Sequence, residues 1–329
     1  MVRIASVAKL AATIAALIAP IGIAPGQVFP APMVGDDHVD VISTEDDAHR
    51  RLTVDVAVNG RGPIRFMVDT AAERTVLSNE VARRLGLTND GPIMLHSMSG
   101  AEVVDSVFVR GLRFSAQHVG GIRAPVLSEG DMAAAGILGL DSLRGQHLLL
   151  DFARQAMTIS PSGTTQLRFN RNRQTLSARD IAGRLVITDA SVAGMPVYVI
   201  IDTGSPVTIG NMRMRSLVRT RNMRNQRMGV ARILSVTGGA IDTEFGLIDE
   251  VKLGGVTITD MKSAFSDLYI FRHLGLNDRP TLLLGMDSLR IFDQVSIDFA
   301  TRKVRFLLKG HSRVDPPIMM AALYTANGD

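Results

Sequence analysis

Two aspartates set the chemistry to look for. Val199-Ile200-Ile201 is a β-branched run that ends on Asp202-Thr203-Gly204-Ser205, and Phe66-Met67-Val68 runs likewise into Asp69-Thr70-Ala71-Ala72. A strand that delivers a carboxylate into a tight turn has this composition. One such turn is weak evidence, because an aspartate commonly caps its own turn. Two copies point to two carboxylates meeting at one site. Carboxylates held about 3 Å apart cannot both ionise and so share a proton. One can then act as a base toward a water and the other as an acid toward a carbonyl oxygen. Their titration belongs to the pair, so the residue types assign neither role.

The segments around each aspartate repeat in the same order. Leu52, Val54, Val56 and Val58 alternate as a half-buried strand, Asn59-Gly60-Arg61-Gly62 turns, and residues 64–68 return as a strand ending at Asp69. Ser78-Asn79-Glu80 opens a short helix over 81–85, stopped by Gly86. A hairpin follows with Ser97-Met98-Ser99-Gly100 at its tip, then strand-like runs, and a small helical patch is expected over 132–135. Ile137-Leu138-Gly139-Leu140-Asp141-Ser142-Leu143 and a closing hairpin around Phe152-Ala153-Arg154 complete the first half. In the second half, residues 185–187 begin a strand and Ala193-Gly194 turns. Beyond Asp202, Ser235-Val236-Thr237-Gly238-Gly239 forms a second hairpin tip. Leu282-Leu283-Leu284-Gly285-Met286-Asp287-Ser288-Leu289 repeats the Gly139 phrase, and Val295-Ser296-Ile297-Asp298-Phe299 repeats Leu148-Leu149-Leu150-Asp151-Phe152. Recurrence of several phrases in one order marks an internal duplication.

Taken together, these motifs resemble the aspartic peptidases, and most closely the retropepsin-like branch with its two subunits fused in one chain. Asp69-Thr70-Ala71-Ala72-Glu73-Arg74-Thr75-Val76-Leu77 is similar to the retroviral D-T-G-A-x-x-T-V-L run, and Ile137-Leu138-Gly139 and Leu283-Leu284-Gly285 to that family's second signature. The resemblance covers residues 52–308. It implies a mostly β, bilobal acid-protease fold of two closed, barrel-like lobes with short helices. It also implies hydrolysis of a peptide bond by water, with Asp69 and Asp202 as the catalytic pair, no covalent intermediate, no metal and no other cofactor. Thr70 and Thr203 would brace the two loops across the twofold, with Gly204 and Ser205 behind Asp202. Gly139 and Gly285 would let a strand cross beside each loop. Ser97, Met98, Ser99 and Gly100, with Val236, Thr237, Gly238 and Gly239, would form flaps over an extended polypeptide, pairing with it as an added strand.

Two departures stand out. Ala71 replaces the usual glycine, which is tolerable only if its backbone stays in an allowed region. Ala72 lacks the hydroxyl of Ser205, so Asp202 is expected to have a nearby donor that Asp69 lacks. A catalytically silent relative that binds extended peptide is the alternative.

Composition narrows the remaining classes. The 329 residues are 46% hydrophobic, carry a formal charge of +4 and include no cysteine. Disulfides, thiolate metal sites and a cysteine nucleophile are therefore excluded. The seven histidines are scattered without metal-ligand spacing. His96, beside a hairpin tip, reads as solvated, with contact to a substrate as the other reading. Asp141, Asp151, Asp287 and Asp298 read as caps of turns or short helices.

Residues 1–26 read as an export signal, with Arg3 and Lys9, an apolar run over 10–19 and small residues near Gly26. An uncleaved membrane anchor is the other reading of that segment. An exposed acidic leader is expected over 27–48, a first lobe over 49–161, a polar linker over 162–179, a second lobe over 180–310 and a tail over 311–329. An exported, periplasmic or secreted monomer acting on protein or peptide is expected. Between residues 211 and 232 stand seven arginines, Arg213 to Arg232, and no acid. They form either a solvated face or a dock for acidic protein or anionic lipid. Nucleic acid is not an expected partner.

Overall fold

A computed structural model describes residues 41–43, 52–163, 173–221 and 230–308. The signal-like segment, nearly all of the leader, part of the linker and the tail lie outside the described residues. The described chain is mostly β with short helices.

Alternating burial along Thr53–Val58 and Arg61–Val68 folds these strands into a hairpin, with Val54 opposite Phe66 and Val56 opposite Ile64. The strand Arg61–Val68 pairs in parallel with Gly136–Leu138, which places Val68 beside Leu138. Val76–Ser78 lies on the other side of Gly136–Leu138 and next to Gln117–Leu127. Ala101–Phe114 pairs with Gln117–Leu127 and, through Val56, Ala57 and Val58, with the first strand, closing a six-stranded barrel. Asn89–His96 hangs from this barrel as the other arm of the hairpin tipped at 97–100. The helix Asn79–Arg84 is capped by Ser78, whose hydroxyl accepts from the Val81 amide. The small helix expected over 132–135 forms one turn earlier, at Glu129–Met132, because Ser128 caps it and Ala133 ends it in the left-handed region.

The second half repeats this plan with one difference. Its counterpart of the first strand is broken at Thr188-Asp189 into Arg184–Ile187 and Ala190–Val192. The first piece pairs with Tyr198–Ile201 and the second with Ala240–Leu253. These strands belong to a fifteen-stranded sheet that also crosses into the first half, where Gln146–Asp151 pairs with Phe292–Asp298. The fold is therefore one closed barrel plus one large sheet, rather than two equal barrels. Residues 173–179 of the expected linker are strand, held against Lys303–Leu308. Leu148, Leu150, Val295, Ile297, Val304 and Phe306 bury the shared sheet in the main apolar core.

The arginine-rich segment owes part of its environment to distant acids. Arg213 faces Asp278, and the exposed Arg232 pairs with Asp242 at 2.8 Å. Arg215 is not on a solvated face: its side chain is buried and paired with Glu244. Arg224 and Arg227 lie outside the described residues, as do the side chains of Arg219 and Arg221. No helix among the described residues is long and apolar enough to cross a membrane.

Candidate active site

Each aspartate follows directly on a buried strand that is paired in parallel with an apolar-Gly strand: Ile201 lies beside Leu284 as Val68 lies beside Leu138. The Asp69 amide donates to the Leu138 carbonyl at 3.1 Å, and the Asp202 amide to the Leu284 carbonyl at 3.0 Å. The chain then turns around each carboxylate. Asp69 Oδ1 accepts from the Ala71 and Ala72 amides at 2.8 and 2.9 Å, and Asp202 Oδ1 from the Gly204 and Ser205 amides at 2.8 and 3.0 Å.

The two loops are cross-braced by their threonines. Thr70 Oγ1 donates to the Ile201 carbonyl at 2.8 Å and accepts from the Thr203 amide at 3.2 Å. Thr203 Oγ1 donates to the Val68 carbonyl at 2.7 Å and accepts from the Thr70 amide at 3.1 Å. This reciprocal set holds the two loops together and leaves Asp69 Oδ2 beside Gly204 of the Asp202 loop. Asp202 is only 4% exposed, while Asp69 stays partly open. Burial pushes both groups above the ordinary carboxylate range, Asp202 furthest because the charge of Asp69 adds to it. The amides that each oxygen accepts from oppose this, as does the nearby Arg184 guanidinium.

Gly204 is required for space. A Cβ there would stand 2.4 Å from Asp69 Oδ2, while its own φ is not in the left-handed region. Ala71, its counterpart, has no positive φ, so the methyl group costs no backbone strain. Gly139 and Gly285 are crossed by backbone: a Cβ at either would lie 2.4 Å from the carbonyl oxygen of Arg74 or Val207. The Ser205 hydroxyl does not serve Asp202 as the sequence suggested. It donates to the Val207 carbonyl at 2.7 Å, because that acceptor lies within the same turn. At the level of hydrogen-bond donors the two aspartate loops are therefore matched.

A second pair of threonines went unnoticed in the sequence. Thr75 Oγ1 donates to Asp141 Oδ1 at 2.6 Å, contacts Ser142 Oγ at 2.7 Å and accepts from the Gly139 amide at 3.1 Å. Thr208 does the same with Asp287 at 2.7 Å, Ser288 at 2.7 Å and the Gly285 amide at 3.1 Å. Asp141 and Asp287 do not cap their helices, whose N-caps are Gly139 and Gly285 without a side-chain cap bond; they lie in the first turn, accept from the Ser142 and Ser288 amides and tie the helices to the crossing strands. Aligning the two halves on their aspartates would have paired Thr75 with Thr208. Asp151 and Asp298 cap turns, accepting from the Arg154 and Thr301 amides.

Both hairpin tips reach the opposite half. Met98 packs on the apolar cluster that contains Ile200, Ile209, Phe271 and Leu283. Val236 packs on the cluster of Met67, Val76, Leu95, Leu127, Met132 and Ile137. Ser97 Oγ and Ser99 Oγ approach Thr237 Oγ1 at 3.4 and 3.2 Å, and Gly239 leaves no room for a Cβ beside Ser99. A Cβ added at Gly238 would lie 3.4 Å from the Asp131 carboxylate, and Gly100 closes its own tip by accepting from the Ser97 amide. His96, read as solvated, instead stacks on His273 with ring centroids 4.1 Å apart and contacts the Tyr269 hydroxyl at 3.1 Å. Among the described residues no group of three or more His, Asp or Glu is arranged to hold a metal.

Compared with known families, residues 54–142 and 186–288 match the family described as Aspartyl protease, so the matched segments make up more than half of the chain. They contain both aspartate loops and both apolar-Gly strands. No curated protein matches the chain.

Proposed function

This chain belongs to the aspartyl protease family, and from that premise we propose that it is an aspartic endopeptidase with Asp69 and Asp202 as its catalytic pair. The observation that carries this reading is two carboxyl groups on loops matched in their amide donors and cross-braced by Thr70 and Thr203. Two such groups share one proton. The proton belongs to the pair, and either carboxyl can carry it. In the reaction the ionised acid takes a proton from a water, whose oxygen bonds to the substrate carbonyl carbon. The protonated acid gives its proton to the carbonyl oxygen. Collapse of the tetrahedral species breaks the C–N bond as a proton passes to the leaving amine.

The substrate is an extended polypeptide lying between the aspartates and the two hairpin tips, its backbone pairing with theirs. With both aspartates in one chain, the protein acts as a monomer. Residues 1–26 support a site of action outside the cytoplasm.

The decisive experiment is hydrolysis of a peptide library across pH by wild type and by Asp202→Asn. Wild type is expected to cleave with a bell-shaped profile and the variant not to cleave. Equal cleavage by both would remove Asp202 from the mechanism. No cleavage by wild type would leave a peptide-binding protein.

A further inference from the structure

Arg184 has no part in the reading above, yet it is the largest fully buried side chain among the described residues, 1% exposed. It opens the strand Arg184–Ile187 in the second half. Its guanidinium crosses to the first half, where Nε–H donates to the Ala71 carbonyl at 2.8 Å; within its own half Nη1 donates to the Ala182 carbonyl at 3.3 Å. The Ala71 carbonyl and the Ala72 amide belong to one peptide unit. That amide donates to Asp69 Oδ1 at 2.9 Å. The cation therefore grips one end of a peptide whose other end holds the carboxylate. A donor on the carbonyl side polarises the amide and strengthens its bond on the far side.

Charge balance leads to the same place. A buried cation without compensating charge is strongly destabilising. The charges acting on Arg184 are Glu73, Asp69 and Asp202. His273 also feels both Arg184 and Glu73 and is stacked on His96. We propose that Arg184 is a positioning residue for the dyad: it clamps the Asp69 loop through the Ala71 peptide and is the buried countercharge of the singly ionised pair. Arg51 stands in the matching place ahead of Asp69 in the sequence and lies outside the described residues.

This inference rests on the dyad reading, so its test needs a readout separate from turnover. Carbon-13 NMR of protein labelled at the aspartate carboxyls follows the dyad directly. In Arg184→Gln both dyad midpoints are expected to move up by about one pH unit, as for loss of a nearby opposite charge. The acid limb of kcat/KM for a cleaved peptide moves with them. Arg184→Lys, which keeps the charge but not the planar donor, is expected to restore the midpoints and only part of kcat. A merely structural arginine would lower activity equally at every pH. Unchanged midpoints in folded Arg184→Gln overturn the proposal. Should that variant not fold, the wild type decides: the nitrogen-15 resonance of Arg184 Nε must shift as the dyad first ionises, and a static resonance overturns the proposal. Dyad midpoints that move in a protein that cleaves no peptide would uphold Arg184 while refuting the peptidase reading.

Discussion

The hairpin tip at 97–100 is fastened to the opposite half by a built set of contacts. The Tyr269 amide donates to the Met98 carbonyl at 2.9 Å, the Tyr269 hydroxyl contacts His96, and His96 stacks on His273. The tip at 235–239 meets the opposite half through Val236 in an apolar cluster and the Thr237 hydroxyl near Ser97 and Ser99. The aspartate loops beneath them agree in the amide donors to each carboxylate and in the threonine brace. On the peptidase reading proposed above, the difference follows from what each part must do. Two carboxylates sharing one proton need near-symmetric support, so both copies keep it. A polypeptide has direction and presents different side chains to its two sides. Duplication within one chain frees the tips to differ where two identical subunits could not.

The sharpest way to break the symmetry of the loops is at Gly204. Gly204→Ala forces a methyl into the Asp69 carboxylate, and the expected result is a loss of about 1–3 kcal/mol in stability. Cleavage should fall by about 10²-fold through misplacement of the pair. The reverse change, Ala71→Gly, meets no clash and should alter stability by no more than about 1 kcal/mol. Equal effects of the two substitutions in denaturant and rate measurements would refute the steric difference between the loops.

Thr75→Val and Thr208→Val test the second pair. Each leaves a buried glycine amide without its acceptor and takes one donor from an aspartate oxygen that keeps its amide donors, and each should cost about 1–3 kcal/mol. A large inequality between the two in urea titrations would show that the halves are not equivalently braced.

A smaller effect should appear in the pH dependence of stability. Both dyad carboxyls are raised in the folded state. The folded protein therefore binds their protons more tightly than the unfolded chain does. Their contribution is fully present below the ordinary aspartate value of 3.8 and is lost as pH rises through the raised values. Asp202→Asn escapes that loss. Its Tm should exceed that of wild type at neutral pH and converge with it in acid; a gap independent of pH would contradict this.

The smallest expected effect sharpens the contrast between the tips. Tyr269→Phe removes one bond to His96 and should cost about 0.5–1.5 kcal/mol. Burial and the charges of His96 and Arg184 hold His273 below its ordinary value of 6.5, with Glu73 opposing. The closed arrangement is thus fully favoured above that value and weakens as pH falls through the lowered one. Spin labels on the two tips should report opening of the 97–100 hairpin on acidification, abolished in His273→Gln. An unchanged response in that variant would separate the histidine stack from the motion.

Much of the site was legible because its signals are local. A β-branched run, an acid, a hydroxyl and a small residue are consecutive, and so are the apolar residues before Gly139 and Gly285. Their duplication made a pair out of Asp69 and Asp202, and the alternation of Leu52, Val54, Val56 and Val58 marked the first barrel strand. Thr75 and Thr208 were also within reach, since only an alignment of the two halves was needed. Other features depend on partners far away in the chain, which no spacing rule records. Only the tertiary structure brings Arg184 to the Ala71 carbonyl, His96 to His273, and Glu244 to Arg215. The Ser205 hydroxyl belongs with these, because a hydroxyl bonds whichever acceptor the turn presents, and here that is Val207. The sheet that joins Gln146–Asp151 to Phe292–Asp298 is of the same kind. Sequence thus determined the chemistry on offer through residue type and short-range pattern. Folding decided the charge and contacts around it, because burial and electrostatics depend on distance in space.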